Sequence, residues 1–204
     1  MSEARIRRDL VRYSRAMHAA GMVANHDGNL SARLTDERLL CTPTAFSKAD
    51  VGPEDLLALD AKGNRISGRH RPFSELNLHL AVYAARPEVA AVVHAHPVHA
   101  TAFGAAGRPL PPPFLPEAVV SLGAEVPLVP LAAPGGGAVD ALRPFIRRVD
   151  AVLIAGNGVL AWGPTLETAW LRLELVEHLC RIAHAALPLG GVKPLPDDMV
   201  QSLV

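Results

Sequence analysis

Apolar residues recur at three- and four-residue steps near the start of the chain, where Ile6, Leu10, Tyr13, Met17 and Ala20 mark one face of a helix. Ser2 stands in a capping position before it and Gly21 closes it. Asn25-His26-Asp27-Gly28-Asn29 is then dense in residues that accept unusual backbone angles, and it feeds the alternating Leu30-Ser31-Ala32-Arg33-Leu34. This predicts a loop entering a strand. Leu39 to Thr42 reads as its hairpin partner, followed by the loop Thr42 to Lys48, a short strand from Leu56 to Leu59 and a turn at Lys62-Gly63-Asn64. Ser74 is placed to cap a helix from Glu75 to about Ala85, which Arg86-Pro87 ends because proline bars the preceding residue from helical geometry. Glu75, His79 and Tyr83 then share one side of that helix.

The apolar run from 89 to 96 predicts a strand, His99 to Ala105 a short helix and the proline-rich segment from Arg108 to Pro116 a loop. Leu122 to Leu131 reads as a strand, Pro134 to Gly137 as a turn and Ala138 to Arg148 as a helix. Ala151 to Ala155 and Val159 to Trp162 are two apolar strands about the turn Gly156-Asn157-Gly158. The last helix, Leu166 to about Ala185, buries Ala169, Leu173, Val176, Leu179 and Ala183 and leaves Glu174, Glu177, His178 and Arg181 to water; a Gly- and Pro-rich tail follows. Hairpin connections early and helical ones later predict a mixed, partly antiparallel sheet with helices on both faces. No linker or internal repeat interrupts the pattern, so residues 1–204 are expected to form a single domain.

Candidate chemistry gathers at Val92-Val93-His94-Ala95-His96-Pro97. The side-chain period of a strand is two, so His94 and His96 project from one face and can share a cation, while Pro97 ends the strand beside them. Two ligands do not complete a metal site, and a pair of hydrogen-bonded structural histidines is the alternative. Composition narrows the partner. Half the residues are hydrophobic and the formal net charge is zero, which argues against a nucleic-acid or membrane surface and for a small molecule. Without a hydrophobic run of spanning length or a cleavable signal pattern, a cytoplasmic location is expected. Cys41 and Cys180 lie far apart in apolar settings, as buried free thiols of a reducing compartment do. Tyr83 and Trp170 sit among aliphatics at helical spacing and are expected in the core.

Five stretches in order resemble the class II aldolase/adducin family: Gly28 to Arg33, Thr42-Pro43-Thr44, Pro72 to Glu75 with His79 and Tyr83, Val93 to Pro97, and the last strand pair with Gly163. The resemblance spans nearly the whole chain. It implies a three-layer α/β/α domain with a central mixed, mainly antiparallel sheet, assembled as a homotetramer with active sites at subunit interfaces. It further implies zinc, or another divalent ion such as Mn2+ or Co2+, held by His94, His96 and a third histidine. That third position falls on Asn157, so the sequence departs from the family there. A neutral amide oxygen is a harder and weaker donor than imidazole. Glu75, matching the family's catalytic glutamate, is the other group able to complete the site, with His99 a more remote one.

The implied activity is aldol cleavage or formation of a C–C bond in a small hydroxy-carbonyl substrate, through an enediolate that the metal stabilises, with Glu75 carrying the proton. Epimerases, dehydratases and decarboxylases reuse such sites, and an adducin-head-like protein without catalysis is the alternative from another class. Gly28, Asn29, Thr44, Ala45 and Ser74 match the anion cradle of phosphate-using members, to which Lys48 or Arg71 can add charge. Asp27 and Phe73 depart from that cradle, which leaves an unphosphorylated or carboxylated substrate open. No tyrosine occupies the region Leu115-Pro116-Glu117, where sugar-phosphate aldolases place a proton donor; Glu117 is the nearest ionisable group.

Overall fold

The computed structural model describes residues 2–204. The first helix, α1 (Glu3–Ala19), begins where expected: the Ser2 hydroxyl accepts from the Arg5 N–H, and Ile6, Leu10, Tyr13 and Met17 are buried along one face. Strands β1 (Asn29–Thr35), β2 (Arg38–Cys41), β3 (Leu57–Asp60) and β4 (Arg65–Ser67) follow, then α2 (Leu76–Ala85) and β5 (Ala91–Ala95). Next come α3 (Val98–Ala105), α4 (Pro116–Leu122), β6 (Leu128–Val129), α5 (Gly136–Ile146), β7 (Ala151–Ile154), β8 (Val159–Gly163) and the long α6 (Leu166–Ala186). A single 3-10 turn (Leu187–Leu189) and α7 (Asp197–Leu203) complete the chain.

All eight strands form one sheet in the order β4-β3-β2-β1-β5-β8-β7-β6, antiparallel at every pairing except β6 with β7. The α/β architecture, with helices on both faces of a mixed sheet, is the one the pattern predicts. Alternation along the strands divides the core in two. Leu30, Ala32, Val93, Ala95, Val159 and Ala161 face α1, α3 and α6, where they meet Leu10, Ala100 and Leu173. Val92, Leu160 and Trp162 face α2 and α5, where they meet Val82, Leu142 and Ile146. Asn29, Ser31 and His94 share this second face by parity, which aims the polar residues of two central strands at the start of α2.

Five local features differ from or add to the expectation. The segment Leu122 to Leu131 is not one strand: Pro116 opens a helix that buries Ala118, Val119 and Leu122, and only Leu128 and Val129 are extended, between Pro127 and Pro130. Prolines lacking an N–H confine such a strand to the sheet edge. Ser74 does not cap α2. Glu75 occupies the cap position without a side-chain cap bond, because its carboxylate is held by groups on two other elements. The region after α6 is not all irregular, since α7 closes it, and Arg65–Ser67 adds an edge strand beside β3. Glu177 does not face water either: it is only 3% exposed, under the start of α3.

Candidate metal centre

His94 is fully buried on β5, the fifth strand from the β4 edge. Its Nδ1 lies 2.8 Å from the Val159 carbonyl of β8, a group that can only accept, so Nδ1 carries a proton and Nε2 is the ring atom turned toward the cluster. His96 stands just past the strand end, tied by its N–H to the Met22 carbonyl, and turns its Nε2 to 3.0 Å from that of His94. Glu75 approaches from the opposite side, with Oε1 at 3.2 Å from His94 Nε2. One ligand atom from each of Glu75, His94 and His96 lies within 4.8 Å of the others.

Two amides orient the carboxylate. Asn29 Nδ2 donates to Glu75 Oε2 at 3.0 Å and Asn157 Nδ2 donates to Oε1 at 2.9 Å. Close backbone packing sets both. A Cβ on Gly28, whose φ is +73°, would lie 2.5 Å from Val23 Cγ1 and 3.0 Å from the His94 carbonyl. One on Gly158 would overlap the Ala95 carbonyl and sit 2.7 Å from His96 Cδ2, so the β7–β8 turn that carries Asn157 lies directly on the H-x-H segment.

The charges follow from this geometry. Burial alone would raise the Glu75 carboxyl, but the charge of His94 and the hydrogen bonds from His94, Asn157 and Asn29 hold it well below the usual carboxylate range. Burial opposes charge on His94, yet the facing carboxylate lifts its pKa above the ordinary histidine value. His96 moves the other way, lowered by burial and by the neighbouring His94 charge. Asp27 Oδ2 stands 3.7 Å from His96 Nδ1, so this acid faces the histidine.

A divalent cation fits these residues. Donors about 2.1 Å from one ion and separated by right or tetrahedral angles lie about 3.0–3.4 Å from each other. Two of the three donor spacings, 3.0 and 3.2 Å, lie in that range, and the third is within 4.8 Å. A model of the class II aldolase and adducin N-terminal domain matches residues 8–184.

The chain belongs to the class II aldolase/adducin family.

It is 31% identical over 212 residues to a 3-oxo-tetronate 4-phosphate decarboxylase of Cupriavidus necator, with 96% of both chains covered. It is also 31% identical to a 5-methylthioribulose-1-phosphate/5-deoxyribulose-1-phosphate aldolase of Rhodospirillum rubrum, covering 98% of this chain and 89% of that one. Among solved structures, YgbL of Klebsiella pneumoniae superposes with a TM-score of 0.92 at 30% identity over 100% of each chain. The protein is thus an enzyme of the class II aldolase superfamily, whose aldolases use a divalent metal. No helix among the described residues is long and apolar enough to cross a membrane.

Of the residues singled out in the sequence of this class II aldolase relative, Asn29, Glu75, His94, His96 and Asn157 converge. Gly28 adjoins them immediately before β1. Thr44, Ala45 and Ser74 lie on neighbouring loops: the Thr44 N–H is already engaged by the Arg71 carbonyl, Ala45 sits at φ +56°, and Ala45 and Ser74 are exposed. Lys48 is not a free cation of the cradle. It is 1% exposed, its Nζ donates to the carbonyls of Phe46 (2.8 Å) and His26 (3.3 Å), and burial brings its pKa down to about 8. Its hydrogen bonds tie the two cradle loops together.

Phe73 turns into the core against the His79 ring, 4.9 Å between centroids, which accounts for an apolar residue at that place. His79 and Tyr83 both hydrogen-bond the Ser31 hydroxyl, at 2.7 and 2.8 Å, and burial together with the His94 charge lowers His79 to about 3. Both are core residues, as is Trp170. His99 is held by Glu177 at 2.7 Å, and Glu117 is exposed in the first turn of α4. A cavity of about 320 Å³ opens beside Glu75 and Asn157, walled by Leu78, Leu131, Pro134 and Ile154. Sequence periodicity gave no sign of this wall, because its residues come from separate elements and its prolines mark only loops.

Proposed function

We propose that this enzyme is a metal-dependent lyase that breaks or forms a C–C bond next to the carbonyl of a small hydroxy-carbonyl substrate carrying a phosphate. The observation that supports the reading best is the convergence of Glu75 with His94 and His96, with two amides holding the carboxylate in one orientation. His94 and His96, with Asn157 or Glu75 beside them, would hold a divalent ion, which would supply Lewis acidity toward a substrate carbonyl. Glu75 is ionised at neutral pH and lines the cavity, where it can take a proton from a substrate hydroxyl and then pass that proton to carbon. Asn29 Oδ1 is buried without a protein partner, an unused acceptor beside the carboxylate that its own Nδ2 holds.

Gly28, Asn29, Thr44, Ala45 and Ser74 hold the phosphate in this reading. It takes residues 1–204 as one domain and the assembly as a cytoplasmic homotetramer with sites at subunit interfaces. The exposure of Ala45 and Ser74 beside a half-buried Glu75 supports a cradle that a neighbouring subunit closes.

One observation favours decarboxylation as a second reading. Retro-aldol cleavage needs a base to remove a hydroxyl proton before carbon is protonated, whereas a 3-oxo acid losing CO2 needs no base, only a proton for the enolate carbon, which solvent can supply beside an ionised Glu75. Glu75 is the carboxylate at the cavity, and Glu117 lies exposed elsewhere. The Cupriavidus relative bears a decarboxylase name and the Rhodospirillum relative an aldolase name.

The test is turnover of 3-oxo-tetronate 4-phosphate, read as CO2, and of 5-deoxyribulose 1-phosphate, read as aldehyde, by the parent and Glu75→Gln. Glu75→Gln is expected to lose on the order of 100-fold or more in kcat on the accepted substrate while keeping its fold. Turnover unchanged in the variant removes Glu75 from the chemistry, and neither product from either substrate overturns the lyase reading.

A further inference from the structure

The cavity of about 320 Å³ is polar on one side only. Its polar side chains, Ser74, Glu75, Asn77 and Asn157, come from the start of α2 and the β7–β8 turn, and two of them, Glu75 and Asn157, already hold each other at 2.9 Å. Its large apolar side chains are Leu78 of α2, Val129 of β6, Leu131 and Pro134 of the loop after it, Leu142 of α5 and Ile154 of β7. Backbone pairing fixes this wall. Val129 and Ile154 are partners in the parallel β6–β7 ladder and lie on the face of the sheet that His94 shares. A Cβ on Gly156 would come 3.1 Å from Leu131 Cδ1, so Leu131 lies over the turn just before Asn157, yet it is 76% exposed.

The sheet order sets where the wall stands along a bound substrate. The proposed phosphate cradle lies at the ends of β1 and β2, His94 on β5, and the apolar wall beyond β8 on β7 and β6. Neighbouring strands are about 4.8 Å apart, so β7 lies about 10 Å past β5 on the side away from β1. A substrate with its phosphate in the cradle and its carbonyl near His94 directs its other end into this cavity.

We propose that the substrate of this enzyme ends, on the side remote from its phosphate, in an alkyl or thioether chain longer than a methyl group and free of hydroxyls, and that Leu131 and Ile154 select it. The inference rests on the lyase reading of the site and its cradle. A methyl group would leave most of the cavity unfilled, whereas each further methylene buried there tightens binding about fourfold. A terminal hydroxyl would give up water against Leu131, Ile154 and Val129, which offer it no side-chain hydrogen bond, and an apolar pocket disfavours such an isostere by up to about 100-fold. The exposure of Leu131 lets water reach part of the chain, which places the expected preference nearer tenfold.

Phosphoglycolamides test this without turnover. They carry a phosphate, a carbonyl and an N-alkyl arm, but no bond that aldol cleavage or decarboxylation breaks. Metal-loaded protein is titrated calorimetrically with the N-methyl, N-ethyl and N-butyl compounds and with N-(3-hydroxypropyl), the near-isostere of N-butyl. Affinity is expected to rise about three- to fourfold per added carbon, and N-butyl to bind about tenfold more tightly than N-(3-hydroxypropyl). Leu131→Asn, at an exposed position, and Ile154→Thr, close in shape to the parent, are each expected to bring that ratio within about threefold, with circular dichroism confirming the fold.

A flat alkyl series, hydroxypropyl binding as tight as butyl, a ratio unchanged in both variants, or no binding by any compound overturns the proposal. Turnover of 5-deoxyribulose 1-phosphate or 3-oxo-tetronate 4-phosphate without the alkyl preference does so while leaving the lyase reading in place. The preference without turnover of either compound refutes the lyase reading and leaves the selection by Leu131 and Ile154 standing.

Discussion

Glu177 offers a prediction that separates sequence pattern from structure. On the helical pattern of α6 it belongs to the wet face with Glu174, but in the fold its side chain is 4% exposed. Its Oε1 accepts from the His99 N–H at 3.2 Å and faces the His99 ring Nδ1 at 2.7 Å, and its Oε2 accepts from the Ala100 N–H at 2.8 Å. The carboxylate thus serves as the N-terminal cap that Pro97, lacking a suitable side chain, cannot give α3. Replacement by alanine strands two backbone donors and a ring nitrogen. Each buried donor left without a partner costs about 1–3 kcal/mol. The His99 side chain is 29% exposed, so water can reach part of the gap. The full sum is therefore not expected.

A loss of about 3 kcal/mol is the balanced figure for Glu177→Ala, with about 2 for Glu177→Gln, which keeps the shape but turns one acceptor into a donor facing donors. For a chain of this length the alanine change corresponds to a fall of about 6–12 °C in Tm. Urea unfolding at fixed protein concentration, followed by circular dichroism, measures it, with Glu174→Gln on the exposed face as a control expected within about 0.5 kcal/mol of the parent. Equal stability of Glu177→Ala and Glu174→Gln would refute the assignment of Glu177 as the cap of α3.

Gly158→Ala is expected to displace the H-x-H segment, since the added methyl meets the Ala95 carbonyl and His96, and to weaken Mn2+ binding by about tenfold or more in equilibrium dialysis. His79 is held neutral to about pH 3, against 6.5 for a free histidine. Between those values the unfolded chain binds the extra proton, so this stabilising contribution is complete above pH 6.5 and is lost as pH falls toward 3. Urea stability of the parent should therefore fall more steeply than that of His79→Gln, by about 1.4 kcal/mol per pH unit from this group between pH 4 and 6. Lys48→Met removes the two carbonyl bonds that join the cradle loops and is expected to raise KM for a phosphorylated substrate with little change in kcat; unchanged KM would mean the loops hold their places without it.

Much of this protein is local in origin and legible in the chain. The amphipathic α1 with its Ser2 cap, the apolar strands about Gly156-Asn157-Gly158 and the period-two placement of His94 near His96 follow from residue spacing, because helix and strand periods map sequence directly onto faces. Motif order was sufficient for the family, and the Asn157 departure was visible as a residue in the wrong place. What Asn157 does instead required the fold, since its partner Glu75 lies 82 positions away and the two meet only where the β7–β8 turn packs beside the start of α2. Ser74 looked like a helix cap because capping rules see a few residues at a time, whereas the tertiary pull of Asn29 and Asn157 on Glu75 set the helix start.

Lys48 and Glu177 show the same limit. A charged side chain in sequence is presumed to face water because desolvation is costly, and only contacts from distant elements, two loop carbonyls for Lys48 and the N–H groups of α3 for Glu177, make burial tolerable. Sequence determined which residues can carry metal and acid–base chemistry and on which strand or turn each would sit. The tertiary structure decided which carboxylate faces which imidazole, because hydrogen bonds and donor spacing depend on distances that no local period encodes.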